Sequence, residues 1–499
     1  MIATIIPIAT TTTIATCIQI QVRGIGSDSV LRRTHQPSRR LRDGCSISPP
    51  RHVRDLVDYL LRMRRRLRPS VFAFALALCC LTSAASAYAA KGARRPPAPL
   101  GGVNVIGLGY GSEPAEADRA IAVARKLHAK VVRTELLWAV MEPHGAGQID
   151  PKALAFTDRL MADAAAAKIK VIVTVRGTPC WDSSAPASLL SECSPTRLTP
   201  ANRWPPSDVG AYASFVSYVA HRYGQQLAAI EVWNEPDQAN ELYFAGPNKA
   251  KLYAALLRAA YPAIKQANPK VLVLGGSLVG SNGLFLRTLY ENGIKGYYDA
   301  LAVHFYTLTV DALRTFRHTQ LENGDTKPLW LDELGWSSCW PRRSIEQEQA
   351  CVTARVQAAN IRDIFRSLAR VPYLGAEVIY TERDFPEEEF GVVTSRGARK
   401  PAFSALAGVL SSPFGPTSPV KVSLRRRGGQ VLASGSAPVG DYMTLEAFKG
   451  KVLRFRAVFA LNRFNRYSIA LPRVLGTSGL TVRVYQVRTG PRRATQKQI

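Results

Sequence analysis

The sequence predicts an α/β protein, a (β/α)8 TIM barrel followed by a small C-terminal antiparallel β-sandwich. Three observations predict this fold. Over residues 103–411, eight short β-prone segments alternate with longer segments of helical periodicity. Two of the predicted strands end in a carboxylate, and catalytic groups of such barrels lie at the carboxyl ends of strands. Residues 419–499 lack helical periodicity, and short β-like runs alternate with glycine turns, which indicates a sandwich.

The predicted elements follow one another in the order that a barrel requires. Strands are expected at Val103–Gly109, Val131–Glu135, Val171–Val175, Ala229–Trp233, Val271–Gly275, Leu301–Phe305, Leu329–Glu333 and Glu377–Thr381. Helices are expected, among others, at Glu116–His128, Lys152–Ala167, Val209–Tyr223, Lys249–Gln266, Glu348–Ala369 and Lys400–Leu410. A doubly wound open sheet is the alternative. It would more often carry a Gly-x-Gly-x-x-Gly turn after its first strand, whereas Gly107–Gly111 reads GLGYG.

The basic charge of the chain is concentrated at its two ends. The net charge of the 499 residues is +28. Residues 1–98 hold 16 Lys and Arg against 4 Asp and Glu, residues 419–499 hold 16 against 2, and residues 99–418 hold 33 against 31. The neutral middle argues against nucleic acid as a partner of the barrel. The basic segment 419–499 is either a site for an anionic cell-surface polymer or a solvated sheet face.

The N-terminal residues predict export. Residues 1–62 form a low-complexity basic extension, and Met63 is a candidate for the true start. Residues 63–89 resemble a signal peptide: a basic segment precedes an apolar run of 11 residues, Val71–Leu81, and small residues follow it. The apolar run is short for a membrane span, which needs about 18–20 residues. Residues 90–102 are a Pro/Gly/Arg linker, and we expect a secreted or cell-surface protein.

Four cysteines follow the predicted signal, namely Cys180, Cys193, Cys339 and Cys351. Local pairing would give two disulfides, Cys180–Cys193 and Cys339–Cys351, which suits an oxidising compartment. A zinc site is the alternative, but the sequence has no Cys-x-x-Cys pair and no nearby cluster of histidines. We therefore expect disulfides, with neither a metal nor a cofactor.

The segment Ile230–Asp237 reads IEVWNEPD and carries the first catalytic candidate. Pro236 cannot donate to a sheet ladder, so the strand should end before it and leave Asn234 and Glu235 at its tip. A carboxyl group at such a tip can protonate a leaving oxygen, while the amide binds a substrate hydroxyl.

The segment Lys327–Trp336 reads KPLWLDELGW and carries the second candidate. Its strand ends at Glu333, 98 residues after Glu235 and three predicted strands later. In a closed barrel the tips of the fourth and seventh strands face each other. Two opposed carboxylates are the minimal machinery of glycoside hydrolysis.

These two motifs resemble those of the clan A retaining glycoside hydrolases, in particular the cellulase-like family five and the β-xylosidase-like family thirty-nine. The resemblance covers roughly residues 103–411, including Lys400–Phe403 at the last helix. It implies that Glu235 is the general acid/base and Glu333 the nucleophile. A single glutamate at a strand end would more often be a cap or a salt bridge.

The resemblance also implies a set of substrate-binding and supporting residues. Asn234 would bind the sugar 2-hydroxyl, Arg133 would support the nucleophile, and Tyr306 of the pair His304 and Tyr306 would orient it. Many relatives carry a tryptophan at the end of strand eight, where this chain has Tyr380, and this difference leaves the size of the substrate open.

Other residues near the two motifs have structural or binding expectations. Glu231 is expected to be a buried partner of Arg133, and Asp332 to point away from Glu333 because side chains alternate along a strand. Tryptophans at predicted loops of the catalytic face are expected to be exposed for stacking on sugar rings: Trp138, Trp181, Trp204, Trp336 and Trp340. Of these, Trp336 is assigned to substrate binding.

The sequence therefore predicts a secreted, monomeric, retaining β-glycosidase that acts on an oligo- or polysaccharide. A transglycosylase would use the same residues with a sugar acceptor in place of water. A non-catalytic carbohydrate-binding protein of the cell surface would keep the cleft without turnover.

Overall fold

The computed structural model describes residues 97–499 except 106, 110, 280–282, 307–310, 344–349 and 387. The predicted basic extension, the signal peptide and most of the linker lie outside these residues. Within the part that is described, no helix combines the length and the apolar character that a membrane span needs.

Eight parallel strands close into a barrel in chain order, which confirms the predicted fold class. The strands are β1 Leu100–Asn104, β2 Val131–Leu137, β3 Lys170–Arg176, β4 Leu227–Val232, β5 Leu272–Leu278, β6 Ala300–Phe305, β7 Leu329–Leu334 and β8 Leu374–Ile379. β1 pairs with both β2 and β8, so the sheet has no free edge.

The helices of the described residues connect these strands. They are α1 Pro114–Lys126, α2 Trp138–Met141, α3 Pro151–Ala166, α4 Ala187–Leu190, α5 Val209–Tyr223, α6 Lys249–Ala267, α7 Leu284–Glu291, α8 Asp311–Glu322, α9 Ala354–Leu368 and α10 Pro401–Ser411. Two of these helices follow an aspartate that caps the helix N-terminus. Asp150 accepts hydrogen bonds from the first backbone amides of α3, and Asp208 does so for α5.

Two layers of apolar side chains stabilise the barrel. Alternate strand residues form a cluster of mostly small side chains, which fills the interior: Val131, Ile172, Ala229, Leu274, Ala300, Ala302, Trp330, Ala376 and Val378. The residues between them pack against the surrounding helices in a much larger core. The interior is thus a packed core, and polar groups are left to the carboxyl ends of the strands.

The C-terminal region forms the predicted sandwich of two antiparallel sheets. One sheet has the strand order β13-β10-β9 and the other β12-β11-β14-β15. The strands are β9 Lys421–Arg427, β10 Gln430–Ser436, β11 Met443–Lys449, β12 Val452–Phe459, β13 Arg466–Ala470, β14 Leu480–Gln486 and β15 Thr495–Gln498. The inner faces bury a separate apolar core that includes Val431, Leu445 and Val482.

Polar and aromatic contacts join the sandwich to the barrel. Asn465 donates a hydrogen bond of 2.6 Å to Asn360 on α9. The guanidinium of Arg463 lies 4.2 Å from the ring centre of Trp340, and the same ring contacts Phe464 edge-on. Trp340 belongs to the loop that follows β7, so the sandwich touches a loop at the carboxyl end of the barrel.

Both predicted disulfides are present. Cys180 is bonded to Cys193, and Cys339 to Cys351. Each closes a short segment at the carboxyl end of the barrel, after β3 and after β7 respectively. The local pairing is confirmed, and it is compatible with an extracellular protein.

Two predicted elements differ from the observed ones by five residues or more at one end. β1 begins at Leu100, inside the range expected for the linker, and it ends at Asn104 rather than Gly109. Beyond it, Leu108 forms an isolated bridge to Leu136 of β2. The predicted helix Glu348–Ala369 begins at Ala354, because Val352 is hydrogen-bonded to Ser337 and Thr353 caps the helix.

Candidate active site

The turn after β4 places Glu235 at the mouth of the barrel. β4 ends at Val232, and the backbone of Trp233 and Glu235 adopts positive φ values of 69° and 45°. Left-handed backbone is uncommon for residues with bulky side chains and is found at functional turns. Trp233 is buried, and its indole N–H donates to the carbonyl of Tyr243. The aromatic anchor and the turn together fix the direction of the Glu235 side chain.

Glu333 lies opposite, at the end of β7, with both carboxylate oxygens hydrogen-bonded. Arg133 Nη1 donates to Oε1 at 2.6 Å, and the Tyr306 hydroxyl donates to Oε2 at 2.7 Å. The residue is only 7% exposed. Two donors, one of them charged, therefore hold the carboxyl group of Glu333 in one orientation.

Glu235 has a different environment. His304 Nδ1 donates to Oε1 at 2.6 Å, whereas the buried Oε2 has no hydrogen-bond partner among the described residues. Burial raises the pKa of the Glu235 carboxyl above its usual value, against the opposing effect of His304. A buried carboxyl group with a raised pKa and an oxygen without a hydrogen-bond partner is suited to donate a proton.

The two carboxyl groups are close to each other. One oxygen of Glu235, one oxygen of Glu333 and a ring nitrogen of His304 all lie within 4.8 Å of one another. These two oxygens are therefore closer than the roughly 6.5–9.5 Å that separates the carboxyl groups of inverting glycosidases.

Arg133 is the centre of the network beneath the two glutamates. Besides Glu333 it donates two hydrogen bonds of 2.9 Å to Glu231 and one of 2.8 Å to Asn234 Oδ1. The prediction that Glu231 is a buried partner of Arg133 is confirmed. Burial raises the pKa of Glu231 to about 7, with Asp332 adding to the rise and Arg133 opposing it.

The prediction that Asp332 points away from Glu333 is wrong. The pairing of β6 with β7 shifts register at this point: Val303 pairs with Leu331, and His304 pairs with Glu333. This irregularity breaks the alternation of the strand, so both acidic side chains reach the same network. Asp332 Oδ2 lies 3.3 Å from Arg133 Nε and 3.6 Å from His304 Nε2.

Two residues of this network were not singled out by the sequence. Ser277, at the end of β5, contacts Glu231, Asp332 and His304 Nε2. Asn104, at the end of β1, accepts from Arg133 Nη1 at 3.0 Å. Their positions at strand ends were the available signal, but a lone serine or asparagine at a strand end is common.

His304 connects the two catalytic candidates and is buried among acids. Burial alone would lower its pKa, but Glu333 and Asp332 raise the pKa well above the usual value, which favours the protonated ring. Its Nδ1 also lies 3.3 Å from Glu333 Oε2. Two clusters, Glu231–His304–Asp332 and Glu235–His304–Glu333, have the spacing of metal ligands. The expected absence of a metal and of a cofactor stays a prediction.

Aromatic and charged side chains surround the cleft. Tyr380 contacts the rings of Tyr306 and Phe390 edge-on, and its hydroxyl donates to Glu388 at 2.9 Å. On the other side Arg176 forms a two-pronged ion pair with Glu135, and its guanidinium lies 5.1 Å from the ring centre of Tyr243. Tyr380 therefore lies beside the nucleophile candidate, in the place that the sequence predicted.

The expectation of exposed tryptophans is wrong for two of the five. Trp138 is fully buried, stacks on Phe215 and donates to Glu142. Trp336 is 2% exposed and belongs to the main core, although its indole N–H has no partner among the described residues. The other three are partly exposed. The assignment of Trp336 to substrate binding stays a prediction, but not as an exposed stacking platform.

The site segment matches a known family. Residues 204–377 match the family model described as "Glycosyl hydrolase catalytic core", and both glutamates lie within them. Over 133 residues the chain is 29% identical to a 6-phospho-beta-galactosidase of Lacticaseibacillus casei (strain BL23). That match covers 26% of this chain and 24% of the relative, so it spans about a quarter of the relative's length.

Two solved structures are similar to the chain. A family 39 glycoside hydrolase from the gut symbiont Bacteroides cellulosilyticus WH2 is 17% identical, with a TM-score of 0.49, over 75% of this chain and 80% of that one. A family 39 β-xylosidase from Caulobacter crescentus is 18% identical, with a TM-score of 0.46, over 71% and 83%.

The matched catalytic core confirms the predicted class, which is that of the glycoside hydrolases. The closed barrel places the two glutamate motifs at the ends of β4 and β7, which is the arrangement that the resemblance to clan A implied.

Proposed function

We propose that this protein is a secreted retaining β-glycosidase that hydrolyses O-glycosidic bonds of an oligo- or polysaccharide. Glu333 is the nucleophile and Glu235 the general acid/base. The observation that carries this proposal is the difference between the two carboxyl groups. Glu333 accepts hydrogen bonds from Arg133 and Tyr306 through both of its oxygens, whereas Glu235 is buried with a raised pKa and has one oxygen without a partner among the described residues.

The reaction then has two displacements. In the first, a Glu333 oxygen forms a bond to the anomeric carbon while the bond to the leaving oxygen breaks, and Glu235 gives its proton to that oxygen. In the second, Glu235 takes a proton from water, the water oxygen bonds to the anomeric carbon, and Glu333 is released. The protonation states of both glutamates are restored at the end of the cycle.

Other side chains would hold the sugar and stabilise the charges. Asn234 shares Arg133 with Glu333 and lies next to Glu235, which suits a contact with the hydroxyl beside the anomeric carbon. Tyr380 would supply partly exposed aromatic surface beside Tyr306, and the buried Trp336 would take part only through its indole N–H, which has no partner among the described residues. The imidazolium of His304 offsets the negative charge of the acid pair in each half of the cycle.

Export rests on the signal-like segment 63–89 and is supported by the two disulfides. Mass spectrometry of the natural mature protein tests it. A mature N-terminus near residues 88–90 is expected, and a peptide from residues before Met63 would contradict the proposed start.

The configuration of the first product tests the mechanism directly. We expect NMR of a fresh digest of aryl β-glycosides to show the β-anomer first, followed by slow mutarotation. An α-anomer as first product would mean inversion and overturn the assignment. If added sugar acceptors captured nearly all of the glycosyl groups at low concentration, the enzyme would be a transglycosylase instead.

Glu333→Gln tests the nucleophile. We expect kcat to fall about 10³-fold or more, while sugar binding measured by calorimetry is retained. Glu377→Gln is the matched control: Glu377 is buried on β8, its oxygens have no partner among the described residues, and burial raises its pKa well above the usual value. Because Glu377 has no hydrogen bond to either catalytic glutamate and glutamine has nearly the same volume, the control should keep wild-type turnover.

A further inference from the structure

The outer face of the sheet β13-β10-β9 carries an ordered array of cations and hydroxyls. The register places Lys421, Ser436 and Arg466 in one row across the three strands, and Ser423, Ser434 and Ser468 in the next. Arg425 and Arg427 follow on β9. We call these eight residues the serine–cation face.

The side chains of this face are available to a ligand. The inner face of the same sheet is defined by Val431, Ala433 and Tyr467, which are buried in the core of the sandwich. Residues of the serine–cation face alternate with them and are exposed or partly exposed. Lys421, Arg425, Arg427 and Arg466 are all exposed, and none of these four side chains has an acidic partner in the described part of the chain.

The acids of the sandwich do not neutralise this face. Residues 419–499 contain two acids, Asp441 and Glu446. Asp441 accepts from the backbone N–H of Arg488. Glu446 lies on the other sheet, where it is buried under Arg456 and Arg483. The positive charge of the serine–cation face is therefore uncompensated.

We propose that the serine–cation face binds a polysaccharide that carries carboxylate groups, such as a polyuronate. A guanidinium presents parallel N–H donors that match the two oxygens of a carboxylate. Serine hydroxyls between the cations can donate to and accept from sugar hydroxyls. In the register given above, the face has no aromatic side chain for stacking on nucleic-acid bases and no large apolar side chain except Leu432.

The dimensions of the face suit an extended polymer. Lys421 and Arg466 lie on strands two positions apart, a distance of about 10 Å. Lys421 and Arg425 are separated by four residues of one strand, about 13 Å. An extended chain with repeated carboxylates can therefore contact several cations at once, and each added contact raises the overall affinity.

The choice of a polysaccharide rather than another polyanion rests on the proposed function of the barrel, since both regions would then engage carbohydrate. The binding step itself does not depend on catalysis. It can therefore be measured with the full chain carrying Glu333→Gln, so that loss of binding and loss of turnover are separate results.

The experiment is affinity electrophoresis and calorimetry of this full-length protein with polygalacturonate as the probe. Neutral dextran, dextran sulfate, duplex DNA and vesicles containing an anionic phospholipid are the comparison ligands. We expect binding to polygalacturonate that weakens as salt rises, and no binding to dextran. Stronger binding to dextran sulfate, DNA or vesicles than to polygalacturonate would overturn the assignment of the ligand.

Two kinds of variant locate the site. The quadruple change Lys421→Ser, Arg425→Ser, Arg427→Ser and Arg466→Ser should weaken binding about tenfold or more. The charge-matched control changes four exposed cations outside the face: Lys449→Ser, Lys451→Ser, Arg454→Ser and Arg492→Ser. The affinity of this control for polygalacturonate should stay within about twofold of that of the parent protein, because the four changed cations lie outside the serine–cation face.

Equal losses in the two quadruple variants would show only a general charge effect and would overturn the proposal. The quadruple variant could lose binding because it is misfolded, so the single change Ser434→Glu is a second test. It adds one negative charge at the centre of the serine–cation face and removes no side chain from the core. It should also weaken polygalacturonate binding, and unchanged binding in this variant would contradict the site.

Discussion

A buried glutamate lies at the centre of a charged cluster in each of the two regions of the molecule, and the two clusters differ in one respect. In the sandwich, both oxygens of Glu446 are hydrogen-bonded: Arg456 and Tyr485 donate to Oε1, and Arg483 donates to Oε2. In the barrel, Glu235 retains an oxygen without a partner in the described structure.

The balance of charge explains this difference. Around Glu446 two cations serve one acid, and these hydrogen bonds outweigh burial and lower its pKa. In the barrel the two cations Arg133 and His304 serve four acids, and burial raises the pKa of Glu231 and Glu235. A carboxylate whose two oxygens are both hydrogen-bonded stabilises a fold. A buried acid that lacks part of its hydrogen bonding can exchange a proton.

Removing the proton donor of the barrel should have the largest effect. We expect Glu235→Gln to lower kcat/KM about 10²–10⁴-fold for substrates with a sugar or alkyl leaving group, because these oxygens depart only when protonated. The loss should be much smaller for dinitrophenyl glycosides, whose leaving group needs no proton. Rates measured across a series of leaving groups check this, and an equal loss for every leaving group would contradict the role of acid.

Removing the imidazolium beside this acid should have an intermediate effect. His304 lowers the pKa of Glu235, so His304→Gln should raise that pKa further. Glu235 must be protonated to act, so activity is lost as pH rises through its pKa. The alkaline limb of the kcat/KM profile should therefore move to higher pH. We also expect kcat/KM at the optimum pH to fall about 10–100-fold, because the variant loses the hydrogen bond from His304 to Glu235.

Tyr306→Phe is the control for this shift. Its hydroxyl donates to Glu333 and not to Glu235, so the variant should lose activity without moving the alkaline limb. A limb that stayed in place in His304→Gln, or moved equally in both variants, would mean that His304 does not act through Glu235.

A change in the hydrogen-bonded cluster around Glu446 should affect the stability of the protein and leave its activity unchanged. Glu446→Gln is expected to leave kcat unchanged and to lower the free energy of unfolding by about 1–2 kcal/mol, a modest value because Arg456 is 58% exposed. The pKa of Glu446 is lowered in the folded protein, so its contribution is present above the usual value and is lost as pH falls through the folded value. Urea titrations at neutral and acidic pH measure this. A loss of turnover at full folding would contradict the separation of the two clusters.

The sequence was sufficient for the parts of the site that follow from strand order. The eightfold alternation places Glu235 and Glu333 on β4 and β7, and closure of the barrel brings their tips together. The contacts of Arg133 and Tyr306 with Glu333 were predicted through the family resemblance, and the structure places both within hydrogen-bonding distance.

Other features depend on local geometry that a residue pattern does not contain. The position of Asp332 follows from a register irregularity between β6 and β7, and strict alternation cannot anticipate it. The role of Ser277 depends on three partners from different strands. Trp138 was expected to be exposed because it follows a strand, but a short helix turns it into the core against Phe215.

The stacking of Arg463 on Trp340 limits how the sandwich of this protein can be exchanged for another domain. The sandwich supplies part of the support for a loop at the mouth, next to the Cys339–Cys351 bond. A chimaera that replaced the sandwich with an unrelated domain would remove that support, even with every catalytic residue retained. A functional exchange of modules between such enzymes would therefore need to carry Arg463 and Phe464 along with the new domain.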